Sequence, residues 1–219
     1  MKTIPILLLL ALTLLSGCAS AGIALRESFG IEKREQLVDR VQEARDSQEA
    51  AKQQFESALD EFLVVTGQKG QPGKVGDLES QYSRFKKERE RCESRAETVS
   101  GRISSVETVA DKLFAEWKGE LKQYSNDDLR RRSERMYDDT KSQYEQLLRA
   151  MKAAESKVKP VLAAFKDQEL FLKHNLNAQA IASLSGTAQQ IQSDVGNLIR
   201  DMETSIAEAN RFIEQMGAK

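Results

Sequence analysis

Apolar residues in this chain recur in steps of four and three residues, and this spacing restricts the fold more than any other feature of the sequence. The pattern begins at Leu37 and runs to Val65, and only Gln48 interrupts it with a polar side chain. A 3.5-residue repeat places these side chains on one seam of an α-helix, which must bury that seam against other helices. The first stripe consists of Leu37, Val41, Ala44, Gln48, Ala51, Phe55, Ala58, Phe62 and Val65. The sequence therefore predicts an all-α fold.

The same spacing returns in three later segments, which run from Leu78 to Trp117, from Tyr137 to Leu172 and from Ile181 to Met216. Arg89 is the one charged residue on the second stripe, and the spacing assigns Gln168 to the third. About four helices of about 40 residues would each be about 60 Å long.

Three short breaker segments separate the stripes: residues 67–76, with four glycines and a proline, residues 124–128 and residues 174–177. Short connections favour antiparallel neighbours. We therefore predict an elongated antiparallel bundle over residues 27–217, built from coiled-coil hairpins at residues 27–124 and 125–217. Dimerisation of each hairpin with a second copy is the alternative.

Several residues at the breaks carry local expectations. Asp77 is predicted to cap the second helix, and Ser125 with Asp128 resembles a capping box. Pro160 should kink or split the third helix near Lys159. The last helix is expected to run from the third break to Gly217 as its C-terminal cap.

The N-terminal segment has the order of a lipoprotein signal peptide. Lys2 precedes an apolar run from Ile4 to Leu15, which is too short to span a bilayer, and the run ends in Leu15-Ser16-Gly17-Cys18. This predicts a signal peptide at residues 1–17, a diacylglyceryl thioether on Cys18 and a tether at residues 18–26. Ala19 after the cysteine is typical of lipoproteins in the inner leaflet of the outer membrane, facing the periplasm. The alternative is an ordinary secretory signal that is cleaved within residues 19–21.

Composition excludes several classes of function. The formal net charge is −1, so there is no bulk attraction to nucleic acid or to anionic lipid. Aromatic residues make up only 6% of the chain, which fits long helices better than a wide globular core. Cys92 is the only cysteine besides Cys18, so no internal disulfide framework is expected.

The densest cationic cluster consists of Arg130, Arg131, Arg132 and Arg135. Acidic residues surround these arginines, which favours a solvated helix end held by ion pairs. The alternative is a contact site for a protein partner, an anionic envelope polymer or a phosphate headgroup.

Cys92 and His174 are the remaining candidates for chemistry. Cys92 lies on the second stripe, which favours a small buried hydrophobe over a redox thiol or an intermolecular disulfide. His174 is interpreted as a turn residue that caps helix carbonyls, with a general base as the alternative. The sequence lacks the spacing of a zinc, calcium or phosphate-binding site and of a nucleophile with its base, so we expect no metal, no cofactor and no enzyme.

Five stretches of the chain carry a resemblance to a known family. They are LFAEW at 113–117, QYS at 123–125, LRRRSER at 129–135, KPVLAAFKDQ at 159–168 and LKHNLNAQAIASL at 172–184. Together with the Cys18 motif, they resemble a family of bacterial helical lipoproteins that is described only as a domain of unknown function. The resemblance implies a helical fold and an envelope location over nearly the whole mature chain, and it implies no activity.

These observations favour a structural or protein-interaction role in the cell envelope, with an envelope protein or a second copy as the partner. The alternative is a binding module for a hydrophobic ligand, a client protein or an anionic envelope polymer. Small residues near the start of the last helix, at Ala180, Ala182, Ser183 and Gly186, leave room for such a ligand.

Overall fold

The structure is a computed structural model that describes residues 33–69 and 75–217. These residues form four long α-helices and one short one, with no strand among them. The helices are α1 (Lys33–Val65), α2 (Val75–Glu120), α3 (Asp127–His174), α4 (Ala178–Ser183) and α5 (Ser185–Gly217), and a 3₁₀ turn at Leu121–Gln123 follows α2. The predicted all-α fold is confirmed.

The four long helices pack as a bundle in the order α1, α2, α3, α5, and α5 closes the ring against α1. Neighbouring helices are antiparallel. At the start of α1, Nζ of Lys33 lies 2.7 Å from a carboxylate oxygen of Glu116, which is near the end of α2. At the end of α1, a carboxylate oxygen of Glu61 lies 3.0 Å from Nε of Arg84, which is near the start of α2. Buried residues from all four helices form a single cluster, so the two predicted hairpins share one core.

Most residues of the predicted stripes are buried in this core. Near the end of α2, however, Val109 and Phe114 are buried beside the predicted second stripe, and Trp117 on that stripe is only half-buried. All nine residues of the first stripe are buried, including Gln48. The third stripe was wrong at one position, because Glu169 is buried and Gln168 is only half-buried. After Phe165 the buried face advances by four residues instead of three, and this places Glu169 against Arg89 of α2.

Helix starts differ from the predicted caps at two positions. α2 begins at Val75, so Asp77 lies inside the first turn. A carboxylate at this position interacts favourably with the positive end of the helix dipole. At the start of α3, Asn126 is the cap instead of Ser125, because its Oδ1 accepts hydrogen bonds from the backbone N–H groups of Asp128 (2.9 Å) and Leu129 (3.1 Å).

A split of α3 at Pro160 and a single unbroken last helix were both wrong predictions. α3 is one helix from Asp127 to His174 in which Pro160 lies on the exposed face and Val158 and Val161 are buried in the core, and a kink at Pro160 stays a prediction. The last helix, in contrast, is divided into α4 and α5 at Leu184. The backbone N–H of Leu184 bonds to the carbonyl of Ile181, which ends α4, and the Leu184 side chain stays buried. Gly217 is the last helical residue of the described chain.

Two aromatic clusters stabilise the bundle at different heights. Phe62, Phe85 and Phe165 come from α1, α2 and α3, with ring centroids 5.2 to 6.2 Å apart. Phe114 and Trp117 of α2 pack against Tyr137 of α3 towards the opposite end, with centroid distances of 5.7 Å. These separations are typical of favourable tilted and edge-to-face aromatic pairs.

Two glycines provide a matched test of the backbone. Gly101 is exposed within α2, and a Cβ there would meet nothing within 4 Å. Gly101→Ala should raise the free energy of unfolding by about 0.5–1 kcal/mol, because alanine loses less backbone entropy in a helix. Gly67→Ala should lower it by about 1–2 kcal/mol, because Gly67 ends α1 with φ of +68°. Urea unfolding followed by circular dichroism measures both, and a loss of stability in Gly101→Ala would contradict this description of α2.

Candidate functional site

A buried ion pair joins α2 to α3 in the interior of the bundle. Arg89 is 3% exposed and Glu169 is 4% exposed. The guanidinium Nε is in direct contact with the Glu169 carboxylate, and Nη1 lies 2.7 Å from Glu93 at the edge of the bundle. Lys166 adds a second cation, with Nζ 3.3 Å from Glu169. The sequence singled out Arg89, but Glu169 was missed because only the packing of α2 on α3 brings the two residues together.

The charge of Arg89 is held by its carboxylate neighbours. Burial acts to lower the pKa of Arg89, but the carboxylates of Glu93 and Glu169 outweigh burial, and the pKa is raised above its ordinary value. Arg89 is therefore a permanent cation in the core. A guanidinium in this state holds a carboxylate but does not transfer protons at neutral pH, so the arrangement is structural.

A second buried polar contact joins α1 to α5. The Ser205 hydroxyl donates a hydrogen bond of 2.8 Å to Oε1 of Gln48. Both residues are fully buried, and both lie on the predicted stripes. The one polar interruption of the first stripe thus faces the serine on the last stripe.

Cys92 is fully buried on α2. Its thiol donates a hydrogen bond of 3.3 Å to the backbone carbonyl of Gln54, and burial raises the pKa of Cys92 to about 12. A protonated, enclosed thiol is a weak nucleophile and is not accessible to a second chain. The structure therefore favours the small buried hydrophobe over the redox thiol.

His174 is the last residue of α3 and is exposed. The capping of carbonyls that the sequence assigned to His174 is performed by the next residue. The Asn175 backbone N–H donates a hydrogen bond to the carbonyl of Leu172. The Asn175 side-chain amide donates a hydrogen bond of 2.8 Å to the carbonyl of Phe171.

The arginine cluster lies at the start of α3. The guanidinium of Arg130 lies 3.5 Å from a carboxylate oxygen of Asp127 and 3.5 Å from one of Glu134. Arg131 forms an ion pair with Asp128. Arg132 and Arg135 are exposed and make no ion pair with the described residues. Local ion pairs therefore occupy half of the cluster, and the other half faces solvent.

These arginines belong to a protruding hairpin tip, which we define as residues 118–136. Lys33 is level with Glu116 of α2, the Arg34 side chain bonds to the carbonyl of Met216, and Trp117 bonds to Ser133 of α3 at 2.9 Å. The end of α2, the 3₁₀ turn and the start of α3 therefore continue past the described ends of α1 and α5. With about 1.5 Å per helical residue, the hairpin tip protrudes by roughly 10 Å.

The hairpin tip also exposes large apolar side chains. Tyr124, Leu129 and Met136 are among the most exposed large hydrophobic residues of the described chain. Single exposed apolar side chains are common, but here three of them share one end of the molecule with two arginines that make no ion pair with described residues.

Cys18, the predicted signal peptide and the predicted tether lie outside the described residues. Within residues 33–69 and 75–217, no helix is long and apolar enough to cross a membrane. The same residues contain no group of three or more His, Cys, Asp or Glu side chains that could hold a metal ion.

The fold and these surfaces define a long all-α bundle with a cationic and partly apolar tip. The chain belongs to the family described as "Protein of unknown function (DUF2959)", whose model matches residues 23–216. No curated protein and no solved structure matches the chain.

The buried ion pair gives a prediction on stability. Arg89→Met should lower the free energy of unfolding by about 3–5 kcal/mol, because it leaves the Glu169 carboxylate buried without its main partner. Combining Arg89→Met with Glu169→Met should recover most of this loss, since two apolar side chains need no partner. Urea unfolding of the single and double variants measures the coupling.

The matched control is the ion pair between Lys152 and Glu107, which joins the same two helices at 3.0 Å on the surface. Removing it should cost less than about 1 kcal/mol. Equal losses from the buried and the surface pair would contradict a structural role that depends on burial.

Proposed function

We propose that this protein is a lipid-anchored component of the bacterial cell envelope that faces the periplasm and has a structural or protein-interaction role without catalysis. The support for the anchor is the sequence from Lys2 to Cys18, in which a cation, an apolar run and Leu-Ser-Gly-Cys follow one another. Ala19 supports the inner leaflet of the outer membrane as the location.

One observation on the bundle supports this proposal most: α1 begins at the same end as the protruding hairpin tip. Lys33 is 15 residues after Cys18 and lies level with the base of the tip. Even a fully extended chain of this length spans only about 50 Å. A lipid on Cys18 would therefore keep the hairpin tip near the membrane surface.

The composition of the hairpin tip fits a protein-binding surface. Tyrosine, methionine and arginine are enriched where proteins bind each other, and tyrosine and arginine often carry much of the binding energy. Tyr124, Met136 and Arg132 present these side chain types at one end of the bundle. We propose that an envelope protein or a second copy of the chain binds here.

The first prediction of this proposal concerns the anchor. Cells grown with labelled palmitate should incorporate the label into the wild-type protein and lose it in Cys18→Ser, because the thioether forms only on the thiol. Cys92→Ala is the matched control, since it removes the buried cysteine and should keep the label. Label in Cys18→Ser would refute the anchor.

The second prediction concerns the hairpin tip. A photo-crosslinking residue placed at Leu129 should form a discrete protein adduct in intact cells. Leu170 is the matched control, because it is 51% exposed against 52% for Leu129 but lies far from the tip on α3. Arg132→Glu should reduce the Leu129 adduct. Equal adduct yields from both positions would contradict binding at the tip.

The arginines also suit an anionic envelope polymer as the second candidate, because Arg132 and Arg135 make no ion pair with the described chain. Co-sedimentation of the protein with purified peptidoglycan distinguishes the two candidates. Loss of co-sedimentation in Arg132→Ala, with the Leu129 adduct unchanged, would favour the polymer.

A further inference from the structure

A cavity lies at the end of the bundle opposite to the hairpin tip. It lies between the last turn of α1, the first turns of α2 and the short helix α4, it is open on one side, and its volume is about 360 Å³. Val65, Leu78 and Ile181 contribute apolar side chains from these three helices. Along α1 the cavity is about 50 Å from Lys33, at about 1.5 Å per residue. It is therefore a separate site from the tip.

The short side chains of α4 keep this cavity open. Ala178 and Ala182 line its α4 side together with Ile181, and both alanines are exposed. Longer side chains at these positions would extend across the opening. None of the described residues that line the cavity is charged. The cavity therefore suits an uncharged apolar group.

One buried polar group faces this apolar lining. Gln81 lines the cavity and is 8% exposed, and its Oε1 has no hydrogen-bond partner among the described residues. A buried carbonyl oxygen without a donor is unfavourable, so a bound O–H or N–H group would satisfy it.

We propose that this cavity binds a neutral single-chain amphiphile, with its alkyl chain against Val65, Leu78 and Ile181 and its hydroxyl or amide N–H donating to Gln81. At roughly 30 Å³ for each water-sized group, the cavity holds about a dozen non-hydrogen atoms. A charged head group is disfavoured because none of the described lining residues carries a charge that would pair with it. The proposal does not depend on an anchor at Cys18.

The experiment uses the purified full-length protein and a decanol that carries a diazirine in its alkyl chain. After irradiation, mass spectrometry of the peptides should locate the label within residues 64–68, 78–81 and 178–182. Excess unlabelled decanol should compete, and decanoate should not. Label spread over the surface of the bundle, or equal competition by decanoate, would overturn the proposal.

Two variants and two matched controls make the test specific. Ala182→Leu fills the opening from an exposed position. Gln81→Met removes the hydrogen-bond acceptor and keeps the size of the side chain. Each variant should reduce the label in these peptides by about tenfold. Gln179→Leu changes an exposed residue of α4 outside the lining, and Gln168→Met removes another unpartnered buried amide oxygen away from the cavity. Both control variants should incorporate as much label in these peptides as the wild-type protein does. Circular dichroism checks that the variants are folded, and equal labelling in all four variants would refute the site.

Discussion

Each long helix of this protein carries one narrow apolar seam, and the burial of these seams against one another is the constraint on which the fold depends. A helix with a single seam gains little by itself, since most helical stability in proteins comes from tertiary packing. On α1 the seam alternates large side chains such as Phe55 and Phe62 with Ala51 and Ala58, which are all fully buried. The alanines allow the neighbouring helices to approach, so four seams close around one core. The outer faces are left to charged residues, and this accounts for the many surface ion pairs.

The buried polar contacts define the register of the bundle in a way that apolar seams alone do not. A regular 3.5-residue repeat allows neighbouring helices to slide by a heptad with little loss of apolar contact. The contact of Arg89 with Glu169 and that of Gln48 with Ser205 are both lost in such a slide, and unpaired polar groups would then be buried. The first contact fixes α2 against α3, and the second fixes α1 against α5. Together they join the two halves of the bundle in one alignment.

The sequence predicts the helices of this protein well because periodicity is a local property. It fails where the outcome depends on a neighbour: Glu169 replaces Gln168 in the core because Arg89 of another helix is within reach. It also fails at Ser125, because the backbone direction at Asn126 decides which side chain can cap α3. Pro160 is tolerated within α3 because its ring lies on the exposed face and the buried residues on either side keep their contacts. The candidate sites follow the same rule. The arginine cluster could be found from the sequence, and so could Ala182 as a small residue that leaves room for a ligand, but the part that Gln81 of another helix plays in the cavity could not.

The break at Leu184 connects the packing of the bundle to the cavity. Leu184 stays buried and Ala188 continues the seam of α5, so the core loses no apolar contact where the helix divides. α4 lines the cavity together with the last turn of α1 and the first turns of α2. Ala178 and Ala182 of α4 are exposed and contribute little to the core. Their short side chains keep the cavity between α4 and the bundle open.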